Sequence, residues 1–136
     1  MARWITFGAV AAASTIGTLG IGGTFSPANT RSTAVTAQAR NVAAEFFLSQ
    51  NERRYETTCR LLSRAFIRSH ALRDRRTCTA VMRVAFVWSG KIDYRIGRVT
   101  HEGDHVVVHA VADGAPGKIV LVSEDGRLRI LAVAGD

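Results

Sequence analysis

The only two cysteines of the chain, Cys59 and Cys78, lie on two predicted helices of an arginine-rich stretch from Tyr55 to Phe86. At 100° per residue, each cysteine falls on the apolar side of its own helix. Antiparallel packing would bring the sulfur atoms together, and two cysteines in an exported chain of this size favour a disulfide over two buried thiols. No Cys-x-x-Cys pair is present, and no histidine stands at ligand spacing from either cysteine, so we predict no metal there. The sequence predicts a helical hairpin closed by Cys59–Cys78, with two free buried thiols as the alternative.

The same stretch is strongly basic. From Arg53 to Arg83 it holds nine arginines and two carboxylates, in a chain whose net charge is +7. On one helix, Arg53, Arg60 and Arg64 would fall within about 40° of each other, and Arg68 would extend the same face. Such a face suits an anionic membrane, a wall polymer or an acidic protein, and the alternative is a solvated helix surface. Nucleic acid is disfavoured as a partner, because no aromatic residues interleave with the arginines for base stacking.

Asp93 and Tyr94 are the residues that an isomerase-like site would need, since such a site combines a carboxylate base with a hydrogen-bond donor. They are neighbours in a predicted strand, so their side chains point to opposite faces of a sheet. Tyr94 follows the apolar alternation and is expected in the core, and Asp93 is expected in solvent. We therefore assign no catalytic role to this pair.

Three histidines, His101, His105 and His109, follow one another at intervals of four residues. With shared parity they would lie on one sheet face, where imidazoles could hold zinc. No carboxylate or cysteine stands at ligand spacing to complete such a site. Solvated histidines near a turn are the preferred interpretation, and no metal site is predicted.

The first 30 residues predict a targeting segment, because they carry a single charge, at Arg3. Residues 1–28 are expected to be a signal peptide, with small residues at Ser26 and Ala28 before a cleavage site, or an uncleaved signal-anchor. A polar linker over 29–34 and one domain over 35–136 follow. The chain is expected to be exported, and either secreted or anchored to the outer face of the cytoplasmic membrane.

Three helices are predicted in the first half of the domain. The first has an apolar face that includes Phe46 and Phe47; its members are Val35, Ala39, Val42, Ala43, Phe46 and Phe47. The second runs through to Phe66 after a capping box formed by Ser49 and Glu52. The third begins at the N-cap Asp74 and buries Cys78, Val81, Met82 and Ala85.

The periodicity changes from 3.6 to 2 after Trp88, which predicts strands. Four strands are expected around 92–96, 106–112, 119–122 and 128–133. The turns between them lie at 101–104, 113–117 and 124–126. Three short turns in succession predict an antiparallel meander, and helices followed by a meander predict an α+β fold.

This order of elements, with Thr58-Cys59-Arg60-Leu61-Leu62-Ser63 and Arg76-Thr77-Cys78, resembles small exported actinobacterial domains of the nuclear transport factor 2-like (cystatin-like) superfamily. The resemblance covers residues 35–134. It implies N-terminal helices packed on a curved antiparallel sheet of about four strands, often with a conical pocket and with face-to-face dimerisation of the sheets. The superfamily includes isomerase-like enzymes, polyketide cyclases and non-catalytic binding domains, so the fold does not select a function.

The sequence lacks the Ser-His-Asp, P-loop and dinucleotide-binding motifs. We therefore expect an exported accessory or binding domain at the cell envelope, without catalytic residues or a cofactor, that meets an unknown protein partner. The alternatives are a small-molecule pocket protein with isomerase- or cyclase-type activity, and an adaptor whose arginine face docks on anionic membrane or wall polymer.

Overall fold

The computed structural model of the chain describes residues 27–70 and 72–136, with side chains from Ser32 onward. Its four helices precede its four strands. The helices are α1 (Pro27–Asn51), α2 (Tyr55–Leu61), α3 (Arg64–Ser69) and α4 (Arg75–Ala85), and the strands are β1 (Tyr94–Glu102), β2 (His105–Ala112), β3 (Ala115–Glu124) and β4 (Arg127–Gly135). The predicted α+β class is confirmed.

The sheet is the predicted antiparallel meander, in the order β1-β2-β3-β4. Each hairpin closes through a two-residue turn that contains glycine. In Asp113–Gly114 and Asp125–Gly126 both residues have positive φ, as a type I′ turn requires. The second turn is shorter than predicted, because Pro116 and Gly117 already belong to β3. Pro116 stands near the start of that strand, where a missing backbone N–H is tolerated.

The core fills the space between the helices and one face of the sheet. From the strands it takes alternate residues, among them Val106, Val108, Ala110, Ile119, Leu121 and Ile130. From α1 it takes Ala39, Ala43 and Phe47, which lie four residues apart and are buried. Val35, Val42 and Phe46 are only partly buried beside them. Phe47 is therefore the main aromatic contribution of α1 to the core, and it stacks on Tyr94 with ring centroids 4.9 Å apart.

The predictions of a linker over 29–34 and of a capping box at Ser49 are both wrong, because α1 includes these residues. This helix begins at Pro27, so residues 29–34 are helical. Ser49 lies inside α1 and is fully buried, and its hydroxyl bonds to the Thr58 hydroxyl at 2.6 Å rather than capping a helix. The signal peptide or signal-anchor was predicted over 1–28, of which residues 1–26 lie outside the described residues.

The single helix predicted through Phe66 is broken at Leu62 and Ser63. Leu62 is extended and forms a parallel bridge with Ile130 of β4, and the Ser63 N–H donates to the Ile130 carbonyl at 2.8 Å. The Ser63 side chain then caps α3 by accepting from the Phe66 N–H. Hydrogen bonds to the sheet edge, together with this cap, replace those that a continuous helix would have made.

Candidate interaction surfaces

Cys59 of α2 and Cys78 of α4 form the predicted disulfide, with Cα atoms 6.0 Å apart. Both residues are fully buried. Asp74 caps α4 as predicted, because its carboxylate accepts the Thr77 N–H at 2.8 Å. Hydrogen bonds from the backbone and the side chain of Thr77 lower the pKa of the exposed Asp74 carboxyl below its ordinary value. The disulfide and the cap fix the position of α4 against α2.

The four arginines of the predicted anionic-partner face are all exposed, but they do not share one helix. Arg53 lies in the turn between α1 and α2, with φ of 58°, and Arg60 lies in the last turn of α2. Arg64 and Arg68 belong to α3, beyond the break at Leu62. The prediction of a continuous basic stripe on one helix is therefore wrong.

Arg64 is also partly neutralised by the β3–β4 turn. Its guanidinium lies 3.2 Å from the carboxylate of Asp125 and 3.5 Å from that of Glu124. Its backbone N–H donates to Glu124 at 3.0 Å as well. Ion pairs this exposed contribute little to stability, but they lower the net positive charge that this surface presents to an anionic partner.

Arg129 of β4 is a partly buried cation that the sequence patterns did not single out. Its Nη1 donates to the Arg60 carbonyl at the end of α2. Its Nε is buried without a partner among the described residues. Burial and the nearby charges of Arg75 and Arg127 lower the pKa of Arg129. The contact with α2 makes Arg129 a structural residue that joins the helix end to the sheet edge.

Helix α4 and the turn after it carry exposed apolar side chains, which we call the α4 patch and which are Val81, Val84, Val87 and Trp88. Trp88 is 94% exposed and Val84 is 76% exposed. The prediction that Val81 and Ala85 are buried is wrong, because both are exposed, and the buried residues here are Cys78, Met82 and Phe86. Helix α4 and the turn after it contain more apolar residues than one buried stripe can hold. This excess was the sequence signal for an exposed apolar surface.

Cations border the α4 patch. Arg76 and Arg83 are one heptad apart and both exposed, and at 100° per residue they lie about 80–100° around the helix from Val84. Lys91 follows Trp88 closely in the chain and is also exposed. None of these three cations has an ion-pair partner within the described part of the chain. The surface therefore combines an exposed tryptophan with positive charge.

Asp93 and Tyr94 do not form a common site. Asp93 is exposed, and its backbone N–H and carbonyl both bond to Asp113, at 3.0 Å and 2.7 Å. Tyr94 is half-buried against Phe47, in line with its predicted place in the core. The pair anchors the start of β1 on its two sides.

The three histidines do not share a sheet face. Because the turn of the first hairpin consists of Gly103 and Asp104 alone, Glu102 pairs with His105 and His101 pairs with Val106 across the two strands. His101 thus lies on the face opposite to that of His105 and His109. Among the described residues, no group of three or more His, Cys, Asp and Glu side chains is arranged to hold a metal ion.

The sheet face turned away from the helices is rich in valine. Val107 pairs with Val120 on this face, and Val111 and Val122 lie on it as well. Val107 is only 2% exposed, although it lies outside the helix-facing core cluster. The side chains of the neighbouring strands are therefore sufficient to cover it.

In the described part of the chain, no helix combines the length and the apolar character that crossing a membrane requires. No protein-family model matches the chain, and the comparison with curated proteins gives no match.

Proposed function

We propose that the chain is an exported, non-catalytic accessory domain of the cell envelope, and that it docks on an anionic membrane surface through the α4 patch. The observation that carries the proposal is the 94% exposure of Trp88 beside the exposed Val84. Exposed apolar surface that is bordered by charge marks interaction sites in soluble proteins. Tryptophan in particular is enriched where an apolar phase meets water.

Charge supports a membrane as the partner. Arg76 and Arg83 lie on α4 beside the α4 patch, Lys91 follows Trp88 by three residues, and each Lys or Arg near an anionic bilayer contributes about 1 kcal/mol of attraction. The leader expected at residues 1–28 would bring the chain to the same surface. The proposed role of the arginines thus moves from the face predicted at Arg53, Arg60, Arg64 and Arg68 to the border of the α4 patch.

The closed interior supports a non-catalytic role. Phe47, Phe66 and Leu62 fill the space between helices and sheet, where an enzyme of the resembled superfamily would hold its substrate. We propose membership of the nuclear transport factor 2-like superfamily on the same layout of helices followed by a meander. Within that superfamily, a filled interior is the arrangement expected of a binding or accessory domain.

The test is the fluorescence of Trp88 on vesicles. Trp4→Phe leaves Trp88 as the only tryptophan, since the chain has two. We expect its emission to shift to the blue with vesicles that contain anionic lipid and not with neutral vesicles. The shift should weaken as salt is raised, because screening at 0.1 M reaches about 10 Å. The local signal of Trp88 is needed because the apolar leader could bind vesicles by itself.

Two variants sharpen the test. Arg76→Gln with Arg83→Gln should weaken partitioning by about 30-fold at low salt, from about 1 kcal/mol per cation. Leu48→Ser alters an exposed apolar residue of α1 and should leave the Trp88 signal unchanged. A Trp88 emission that does not respond to anionic vesicles, or that responds equally to neutral ones, would refute membrane docking through the α4 patch.

A further inference from the structure

A pocket of about 230 Å³ lies where the end of α1, the start of α2 and the segment after α4 meet. One wall is held by Asn51, whose side-chain amide donates to the Ile92 carbonyl at 2.9 Å and accepts the Ile92 N–H at 2.7 Å. This pair of bonds imitates a strand pairing and fixes the end of α1 to the chain just before β1. The pocket is therefore formed by segments that are tied to each other.

Aromatic rings line the inner part of this pocket. Tyr55 and Phe86 both belong to its lining, and their rings are stacked with centroids 6.2 Å apart. Tyr55 is 6% exposed and Phe86 is 7% exposed. Most of each ring is covered by the protein core, so a compact apolar group in the pocket would contact only their exposed edges.

The Tyr55 hydroxyl makes no hydrogen bond to another described residue, and it is not one of their buried unpaired atoms. It therefore stays accessible to water where Tyr55 lines the pocket, and a polar atom of a ligand there can replace that water.

Two cations complete the lining. Arg53 and Lys91 both line the pocket and are exposed, and neither has an ion-pair partner in the described part of the chain. Arg53 is held there by a left-handed backbone, with φ of 58°. They line the pocket from two different segments, and both make it favourable for an anionic group.

We infer that this pocket binds a small organic acid, with the carboxylate at Arg53 and Lys91 and an apolar or aromatic body on Tyr55 and Phe86. The volume is below the range of about 300–1,000 Å³ that is usual for ligand pockets, which restricts the ligand to a compact molecule. Guanidinium and ammonium groups bind carboxylates through charge-assisted hydrogen bonds. The Tyr55 hydroxyl would donate to a polar atom of the same ligand.

Phenylacetate is the probe, because it joins a benzene ring to a carboxylate within this size. We expect saturable binding in the low millimolar range, as about ten non-hydrogen atoms at ordinary ligand efficiency imply. In a titration followed by NMR, the backbone amides of residues 89–92 and of Tyr55 should shift, and those of β3 should not. 2-Phenylethylamine has the same ring and the opposite charge, and it should not bind.

The chain offers matched controls for each cation. Arg53→Gln and Lys91→Gln should each weaken phenylacetate binding by about threefold to tenfold, the range for an exposed charge-assisted contact. Arg73→Gln should not, although Arg73 is also exposed and has φ of 57°. Lys118→Gln is the corresponding control for Lys91, and Tyr55→Phe removes only the hydroxyl and should weaken binding.

Three results would overturn the inference: no saturable shift at residues 89–92, equal binding of 2-phenylethylamine, or equal losses for Arg53→Gln and Arg73→Gln. No lipid is present in this titration, and Trp88 does not line the pocket. Lys91 belongs to both proposals, but without lipid the titration measures binding in the pocket alone.

Discussion

At the scale of single residues, the polar residues that the described part of the chain buries completely all carry hydroxyl groups. Ser49, Thr58 and Ser63 are all fully buried. Ser49 and Thr58 bond to each other at 2.6 Å where α1 meets α2, and Ser63 caps α3. Buried hydroxyls with partners avoid the cost of burying an unpaired polar group. Asp74, which caps α4, stays at the surface, whereas Arg129, which joins the end of α2 to β4, has a partly buried guanidinium.

Asp74 gives the fold a pH-dependent contribution whose sign is defined. Its pKa is lowered in the folded protein, mainly because the Thr77 N–H donates to its carboxylate. The stabilisation is therefore present above the unfolded pKa of about 3.9 and is lost as the pH falls through the folded pKa. We expect the stability difference between the wild type and Asp74→Asn to change below about pH 4 and to be constant above about pH 5.

Urea unfolding of both proteins between neutral and acid pH measures this difference. Asparagine is an equally good N-cap, so the helix is retained and only the titration is removed. Asp104→Asn, in an exposed hairpin turn, is the control and should not reproduce the change. A difference that stays constant down to the lowest pH would mean that Asp74 has an ordinary pKa.

At the scale of elements, the sequence predicts the strands better than the helices. Glycine with an adjacent aspartate fixes each turn locally, and alternation fixes the faces, so the meander follows from short-range patterns. The break at Leu62 depends on Ile130, which is far away in the chain, and no local pattern announces it. The same tertiary effect separates Arg53 and Arg60 from Arg64 and Arg68.

Helix α1 allows a direct test of which face is buried. Phe46 and Phe47 both fit the predicted apolar face, but Phe47 is 3% exposed and stacks on Tyr94, whereas Phe46 is half-buried. Phe47→Ala should lower the free energy of unfolding by about 3–5 kcal/mol, as for a core truncation. Phe46→Ala should lower it by about 1–2 kcal/mol, because it removes less buried surface.

Chemical denaturation of the two variants shows which substitution lowers the free energy of unfolding more. Leu48→Ala, at the exposed neighbouring position, controls for the loss of side-chain bulk on α1 and should cost little. A larger loss for Phe46→Ala than for Phe47→Ala would mean that α1 is rotated relative to the arrangement described here.

At the scale of the whole molecule, the helices are attached to the sheet unequally. Helix α1 packs on the sheet directly, and Leu62 and Ser63 pair with β4. Helix α4, which is followed by the turn that carries Trp88, is attached chiefly to α2. The Cys59–Cys78 bond is therefore the covalent part of the attachment that holds the proposed membrane-docking surface in place.

Removal of this bond should loosen α4 before the sheet. The cysteines are 19 residues apart. Closing a loop of about this length contributes about 3 kcal/mol, mainly by restricting the unfolded chain. We expect Cys59→Ala with Cys78→Ala to lose about 2–4 kcal/mol of stability in urea.

In hydrogen exchange, the amides of α4 should then open at a lower free energy than those of β2 and β3, because α4 has little other support. A reducing agent should reproduce both effects in the wild type and change nothing in the double variant. Equal loss of protection in α4 and in the central strands would instead show that α4 unfolds only with the whole domain, so that the disulfide acts on the global equilibrium alone.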